Sequence, residues 1–97
     1  MSRFDQAKML MKMRKLQKEL QKEMITSEAG EGAVKVEING EMKIKKISID
    51  AASVDVDDIG QLERWVEEAV KDAISKSQKL AADKMQPMMG SLGNLGL

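Results

Sequence analysis

The side chains that could do chemistry in this chain are limited to carboxylates, amines, guanidiniums and hydroxyls. None of its 97 residues is His, Cys or Tyr. The commonest general base, the commonest metal ligand and the strongest side-chain nucleophile are therefore missing. No spacing brings the remaining Asp, Glu, Lys and Ser residues into a catalytic arrangement. The composition predicts a binding or architectural protein that is not an enzyme and uses no cofactor.

One acidic cluster has the opening pattern of a calcium loop. Asp55, Asp57 and Gly60 occupy its first, third and sixth positions. The fifth position is Ile59, and the twelfth is Val66, where the pattern needs a bidentate Glu. Carboxylates at this point also suit the positive end of a helix that begins near Ile59. We therefore interpret the cluster as a helix cap and predict no metal site.

Basic residues recur along the first predicted helix. Residues 3–23 contain neither Gly nor Pro and are rich in Leu, Met, Lys, Gln and Glu, which is a strong helix composition. One face of this helix is apolar, with Met9, Met13, Leu16, Leu20 and Met24. A second stripe, about 120° away around the helix, consists of Lys8, Lys12, Lys15 and Lys22. Such a stripe is usually a solvated face, and phosphate binding is the alternative.

Three short strands are predicted after this helix. Residues 25–29 are rich in β-branched residues, and residues 30–32 (Gly-Glu-Gly) form a turn that leads into a strand. That context excludes a phosphate-binding loop at a helix N-terminus. Residues 34–38 alternate apolar and charged side chains, as a half-buried strand does. Asn39-Gly40 is a strong hairpin signal because both residues tolerate positive φ, and it predicts a returning strand over residues 42–50.

The returning strand changes phase in its middle. Met42 and Ile44 would lie on one face of the sheet, whereas Ile47 and Ile49 would lie on the other, with Lys45-Lys46 between them. Either a bulge resets the alternation or both faces of the sheet are buried. Burial of the second face would require a partner molecule.

A second helix is predicted from near Ile59 to about Gln86, where Pro87 would stop it. Its apolar stripe comprises Leu62, Val66, Ala69, Val70, Ala73, Ser77, Leu80 and Ala81. Trp65 lies at the edge of the stripe and suits packing or an interface. The prediction is a single α+β domain over residues 1–87, a two-layer α-β-β-β-α subunit with a three-stranded antiparallel sheet and long N- and C-terminal helices. Residues 88–97 would form a flexible Gly/Met/Leu-rich tail.

Charge and hydropathy limit where the protein can be located and which partners it can have. The chain has 16 basic and 16 acidic residues, so net charge predicts no partner. Residues 1–27, however, hold seven basic and three acidic residues, which makes this end positive. No segment approaches the roughly 18 apolar residues of a membrane span, and the first residues lack the apolar core of a signal peptide. We expect a soluble, cytosolic protein, which the absence of Cys also fits.

Taken together, these segments resemble the YbaB/EbfC family of bacterial nucleoid-associated proteins. The most specific part is the G-x-V-x-V-x-x-N-G run of residues 32–40, followed by I-x-I-D at residues 47–50. Ala51 stands where the family often has Pro. The resemblance implies a homodimer whose first helices project from a shared β core. It also implies DNA binding in the nucleoid with limited sequence preference, and no catalytic residues.

Two functional hypotheses follow. In the first, a homodimer contacts the phosphates of double-stranded DNA, with no membrane and no small-molecule ligand involved. The candidate DNA-binding residues are Lys8, Lys12, Arg14, Lys15, Lys18, Lys22, Lys45 and Lys46. In the second, the dimer is a protein-interaction adapter. The residues that would contact its protein partner are Met9, Leu10, Met11 and Met13.

Overall fold

Two long helices flank a three-stranded sheet in a computed structural model that describes residues 2–94, with side chains described to residue 87. The elements are α1 (Arg3–Lys22), β1 (Met24–Ala29), β2 (Val34–Asn39), β3 (Ile44–Ile49), a short 3₁₀ helix (Ala51–Ser53) and α2 (Ile59–Asn94). The strands are antiparallel in the order β1-β2-β3. The predicted α-β-β-β-α architecture is therefore confirmed. Only Glu23 separates α1 from β1.

The core lies between α2 and the first two strands. α2 packs on β1 and β2, because the alternation of β2 turns its apolar side chains toward the helix. Small residues on α2 allow the helix to approach the sheet closely. The buried core residues are Ala29, Val34, Val36, Ile38, Ala69 and Ala73. The predicted stripe of α2 is confirmed at its centre, where Ala69, Ala73 and Ser77 are fully buried.

A polar cluster holds β1 to one flank of α2. The buried Ser27 hydroxyl donates a 2.7 Å hydrogen bond to Asp72 Oδ2. Lys76 Nζ lies 3.0 Å from the same carboxylate and 3.5 Å from the Thr26 carbonyl oxygen. The Ser27 hydrogen bond, reinforced by Lys76, holds the pKa of Asp72 below its usual value.

A β-bulge in β3 resolves the change of phase. Glu37 pairs with Lys46 and Ile38 pairs with Ile44, so Lys45 is the extra residue. The bulge returns all three isoleucines of β3 to the face that α2 covers, because each pairs with a buried residue of β2. Burial of both faces is therefore not needed. Of the two alternatives, the bulge is confirmed.

The β2–β3 hairpin is confirmed, but its loop differs from the predicted tight turn. β3 begins at Ile44 rather than near Met42, and the loop spans residues 40–43. Among the described residues, the positive φ in this loop falls at Met42, at 64°, and not at Asn39 or Gly40. Gly40 is needed for a close approach instead. A Cβ there would lie 2.8 Å from both Cδ2 and the carbonyl oxygen of Leu20 in α1.

We expect Gly40→Ala to destabilise the fold by about 1–3 kcal/mol, because the added methyl would overlap a backbone atom that cannot move freely. Urea denaturation followed by circular dichroism measures the effect. Gly60→Ala is the matched control, since a Cβ in this first turn of α2 has no heavy atom closer than 3.5 Å. Alanine is also the better helix former, so the control should gain stability. Equal loss in both variants would contradict this account of Gly40.

The second helix continues past the predicted stop. α2 runs through Pro87 to Asn94, so the termination at Pro87 was wrong. A proline inside a helix removes one i→i−4 hydrogen bond and bends the axis, yet the turns after it can still close their own bonds. Of the predicted tail, residues 88–94 have a helical backbone and residues 95–97 lie outside the described residues. The domain limit at residue 87 and the flexibility beyond it stay predictions.

Candidate nucleic-acid interface

Helix α1 projects from the sheet. Its 20 residues span about 30 Å at 1.5 Å per residue, and the chain is 64 Å long along its major axis. Leu20, at the end nearest the sheet, is buried, and Leu16 and Met9 are half-buried. Phe4 and Met11, nearer the N-terminus, are exposed. We refer to α1 as the arm.

The arm carries a basic face, which Met11 and Glu19 interrupt. At 100° per residue, its basic residues from Lys8 onward occupy an arc of about 160°, opposite Leu16 and Leu20. All of them are exposed, and among the described side chains none lies within ion-pair distance of a carboxylate. Lys8 also lies 5.8 Å from the centre of the Phe4 ring. The set is Lys8, Lys12, Arg14, Lys15, Lys18 and Lys22.

The acidic residues of this segment all have local partners. The hydroxyl of Ser2, which caps the helix, donates a 3.0 Å hydrogen bond to Asp5 Oδ2 and accepts one of 3.2 Å from the Asp5 amide. Glu23 and Glu19 lie 3.4 and 3.9 Å from Nζ of Lys84 in α2. Surface ion pairs of this kind add little stability. Lys84 offsets only one of the two glutamate charges, and the partner of Asp5 is a neutral hydroxyl. No basic residue of the arm from Lys8 onward has a carboxylate partner among the described side chains.

Lys84 is a residue that the sequence interpretation missed. It follows Ser77 and Leu80 at helical spacing, so it lies on the packing face of α2 rather than on its solvent face. A lysine on the packing face of a helix is the sequence signal that could have identified Lys84. Lys84 also lines an open groove of about 180 Å³ between the helices, together with Lys12 and Lys15. Glu19 lines the same groove, so the positive charge that α2 supplies there is shared with a carboxylate of the arm.

The two other predicted basic residues lie apart from the arm. Lys45 is the bulge residue of β3, and Lys46 pairs with Glu37 on the sheet face turned away from α2. Both are exposed. The arm packs against α2 and β2, with no comparable contact to β3. The structure therefore brings together six of the eight predicted residues and leaves Lys45 and Lys46 on a separate edge strand.

The start of α2 is capped as predicted. Asp58 Oδ1 accepts a 3.2 Å hydrogen bond from the Gln61 amide, and Asp55 Oδ1 accepts one of 2.9 Å from the Asp57 amide. Within the described residues, no group of three His, Cys, Asp or Glu side chains could hold a metal ion. The carboxylates of this cluster act within the fold.

On the outer surface of α2, Glu67 forms a close ion pair with Lys71. Lys71 Nζ donates a 2.6 Å hydrogen bond to Glu67 Oε1 one turn earlier. This contact lowers the pKa of Glu67 and raises the pKa of Lys71, so both stay charged over a wide range of pH. The charge of Lys71 is therefore matched by Glu67, in contrast to the lysines of the arm.

Within the described part of the chain, no helix covers the β3 half of the sheet. Ile44, Ile47 and Ile49 face the α2 side but are 43, 45 and 48% exposed, since α2 covers only β1 and β2. Val56 and Ile59 nearby in sequence are also exposed. A row of exposed isoleucines of this kind marks an interaction surface. We refer to Ile44, Ile47 and Ile49 as the β3 face.

No helix among the described residues is long and apolar enough to cross a membrane. The fold and site together define a class of protein: a small α+β domain with an apolar sheet edge and a projecting basic helix. Residues 2–92 match the family model of the YbaB/EbfC DNA-binding family. The chain belongs to this family.

Curated sequences and solved structures are similar to the chain. A nucleoid-associated protein of Chloroflexus aurantiacus is 39% identical over 83 residues, which covers 86% of this chain and 83% of the relative. A nucleoid-associated protein of Syntrophobacter fumaroxidans is 37% identical over 86 residues, covering 89% and 78%. The crystal structure of uncharacterized protein HP0035 from Helicobacter pylori superposes with a TM-score of 0.78 at 19% identity, covering 86% of this chain and 87% of that one. That last likeness concerns the fold alone.

Proposed function

We propose that the protein is a nucleoid-associated, non-enzymatic DNA-binding homodimer whose arms contact the phosphates of double-stranded DNA. The observation that carries this proposal is the basic face of the arm, exposed and without carboxylate partners among the described side chains. Membership of a DNA-binding family and the names of the relatives support it. The protein acts in the bacterial nucleoid.

Lysines dominate the proposed contact surface, and this bears on specificity. The lysine ammonium is a strongly hydrated point charge without the planar fork by which arginine recognises guanine. Five of the six basic residues on the face are lysines, with Arg14 the exception. Contacts to phosphate fix position and affinity but carry little base information. The protein therefore binds DNA with low sequence preference, and Lys45 and Lys46 on β3 are secondary contacts.

The β3 face supports the homodimer. A single subunit buries only a small core, half of which consists of alanine side chains, and small domains often complete their burial by association. The β3 face is uncharged and apolar, so a second copy of the same face is a complementary partner in an isologous contact. Pairing two copies covers the isoleucines that α2 leaves open and holds two arms in one particle.

Salt dependence of DNA binding tests the function. We expect fluorescence anisotropy with a labelled duplex to give a log K that falls with log salt at a slope of about −4 to −7, if each dimer neutralises roughly four to eight phosphates. Duplexes of unrelated sequence should bind with similar affinity. Absence of binding at low salt would refute the proposal.

The adapter hypothesis has one observation in its favour. Leu10, Met11 and Met13 on the arm are exposed, and Met13 borders an apolar groove of about 230 Å³ that Met85 also lines. A protein partner could pack against these side chains. The salt titration separates the two functions, because an apolar contact would leave DNA unbound at every salt concentration.

A further inference from the structure

We propose that Asn39 and Ser77 are positioning residues that set the direction of the arm, so that DNA affinity depends on a buried junction that does not touch DNA. The inference rests on the proposed DNA-binding function. Both residues are almost completely buried, at 1% and 0% exposure, and they lie where the β2–β3 loop meets the two helices. The sequence interpretation gave neither residue a role of this kind.

The loop caps the end of the arm. The last four carbonyl groups of a helix have no partner within the helix. The Gly40 amide donates a 2.8 Å hydrogen bond to the Leu20 carbonyl oxygen, and Asn39 Nδ2 donates one of 3.4 Å to that of Gln21. The end of α1 is therefore held by backbone and side-chain groups from a loop about 20 residues later in the chain.

Asn39 and Ser77 in turn hold the loop in shape. Asn39 Oδ1 accepts hydrogen bonds from the amides of Glu41 and Lys43, at 2.9 and 3.0 Å. The Ser77 hydroxyl donates to the Asn39 carbonyl oxygen at 2.8 Å and accepts from the Met42 amide at 3.0 Å. Ser77 thus links α2 to the loop, and the loop links to the arm. A buried network with each of these groups satisfied is rigid.

The direction of the arm matters because two arms must engage one DNA molecule. The second contact in such a pair is effectively intramolecular, and its benefit is lost when the geometry prevents simultaneous engagement. Among the described residues, the arm is otherwise held by light packing on α2 and β2 and by the surface ion pairs of Lys84 with Glu19 and Glu23. Loosening the junction should therefore spread the arms over more directions and weaken DNA binding without changing any basic residue.

The chain offers a matched pair of variants for the test. Ser77→Ala removes the hydroxyl that holds the loop, whereas Ser27→Ala removes an equally buried hydroxyl that joins β1 to Asp72, away from the loop. Both change a buried serine to alanine; Ser77→Ala deletes two hydrogen bonds to the loop, and Ser27→Ala deletes one to α2. We expect similar small losses of thermal stability in the two variants, with both still folded at 25 °C.

Two measurements distinguish positioning from general destabilisation. Because the chain has no cysteine, Gln6→Cys accepts one spin label on each arm, and pulsed electron paramagnetic resonance reports the distance between the two arms of the dimer. Ser77→Ala should broaden this distribution and weaken DNA binding about tenfold, whereas Ser27→Ala should leave both close to the wild-type result.

The outcomes separate the inference from the function on which it rests. Wild-type distances and affinity in Ser77→Ala would overturn the inference, as would an equal loss of affinity in both variants. A wild-type protein that binds no DNA, or gives no distance between arms, would instead refute the proposed DNA-binding dimer.

Discussion

Reversing the charge of four lysines on the arm should abolish DNA binding while leaving the fold intact. In the variant Lys8→Glu/Lys12→Glu/Lys15→Glu/Lys22→Glu, the side chains that change are all exposed. Lys12 and Lys15 border the open groove beside Leu16 but are not part of the buried core. Each reversal replaces attraction to phosphate with repulsion, so we expect the affinity to fall by at least about a thousandfold and the salt slope to approach zero. Anisotropy titrations at two salt concentrations measure both quantities.

A smaller matched pair controls for total charge. Lys8→Glu/Lys12→Glu changes the net charge by the same amount as Arg64→Glu/Lys71→Glu on the exposed surface of α2. Only the first pair should weaken binding strongly, because the effect depends on where the charge lies. Single substitutions on the arm should act weakly and similarly on all DNA sequences. The arm would not be the DNA-binding surface if the fourfold variant remained dimeric and bound DNA as the wild type does.

The second large effect is expected at the β3 face. Ile47→Asp would place a charge at the centre of the proposed contact between two copies, where it has no partner. We expect the dimer dissociation constant to rise by on the order of a hundredfold, or about 2.7 kcal/mol. Sedimentation at micromolar concentration should then show monomers, and DNA affinity should fall because each particle has a single arm.

The neighbouring residue supplies the control for this prediction. Ser48→Asp introduces the same side chain one position further along β3, where it lies on the opposite face of the sheet. This variant should remain dimeric. A well-folded wild-type monomer, or an Ile47→Asp variant that stays dimeric, would mean that the β3 face does not join two copies.

Local patterns were enough to predict the helices and strands of this fold, but not the details of their geometry. The alternation in residues 34–38 and the stripe of α2 predicted which side chains are buried, because burial on one face imposes a period on the sequence. The bulge at Lys45 was one of two alternatives, since alternation alone does not specify pairing. The tight turn at Asn39-Gly40 was wrong because Gly40 is selected by contact with Leu20, a constraint between distant segments.

The candidate site was likewise predicted only where it depends on a local pattern. The lysine stripe of the arm is a local pattern, and the structure places all of it on one exposed face. Lys84 depends on α2 continuing beside the arm, and this contact has no local signature apart from a charged residue at a packing position. The polar junction of Asn39 and Ser77 joins residues 38 positions apart, which spacing within one element cannot reveal.

The connection between α1 and β1 gives the basic face a fixed angular setting. A single residue, Glu23, separates the helix from the strand, and the loop holds the carbonyls of Leu20 and Gln21. The number of residues between this anchor and each lysine therefore fixes the angular position of that lysine around the helix axis. One residue inserted after Lys18 would turn every preceding side chain by about 100° and advance it by about 1.5 Å, with the charge of the arm unchanged. The length of α1 is thus as much a determinant of where its positive charge points as the lysines themselves.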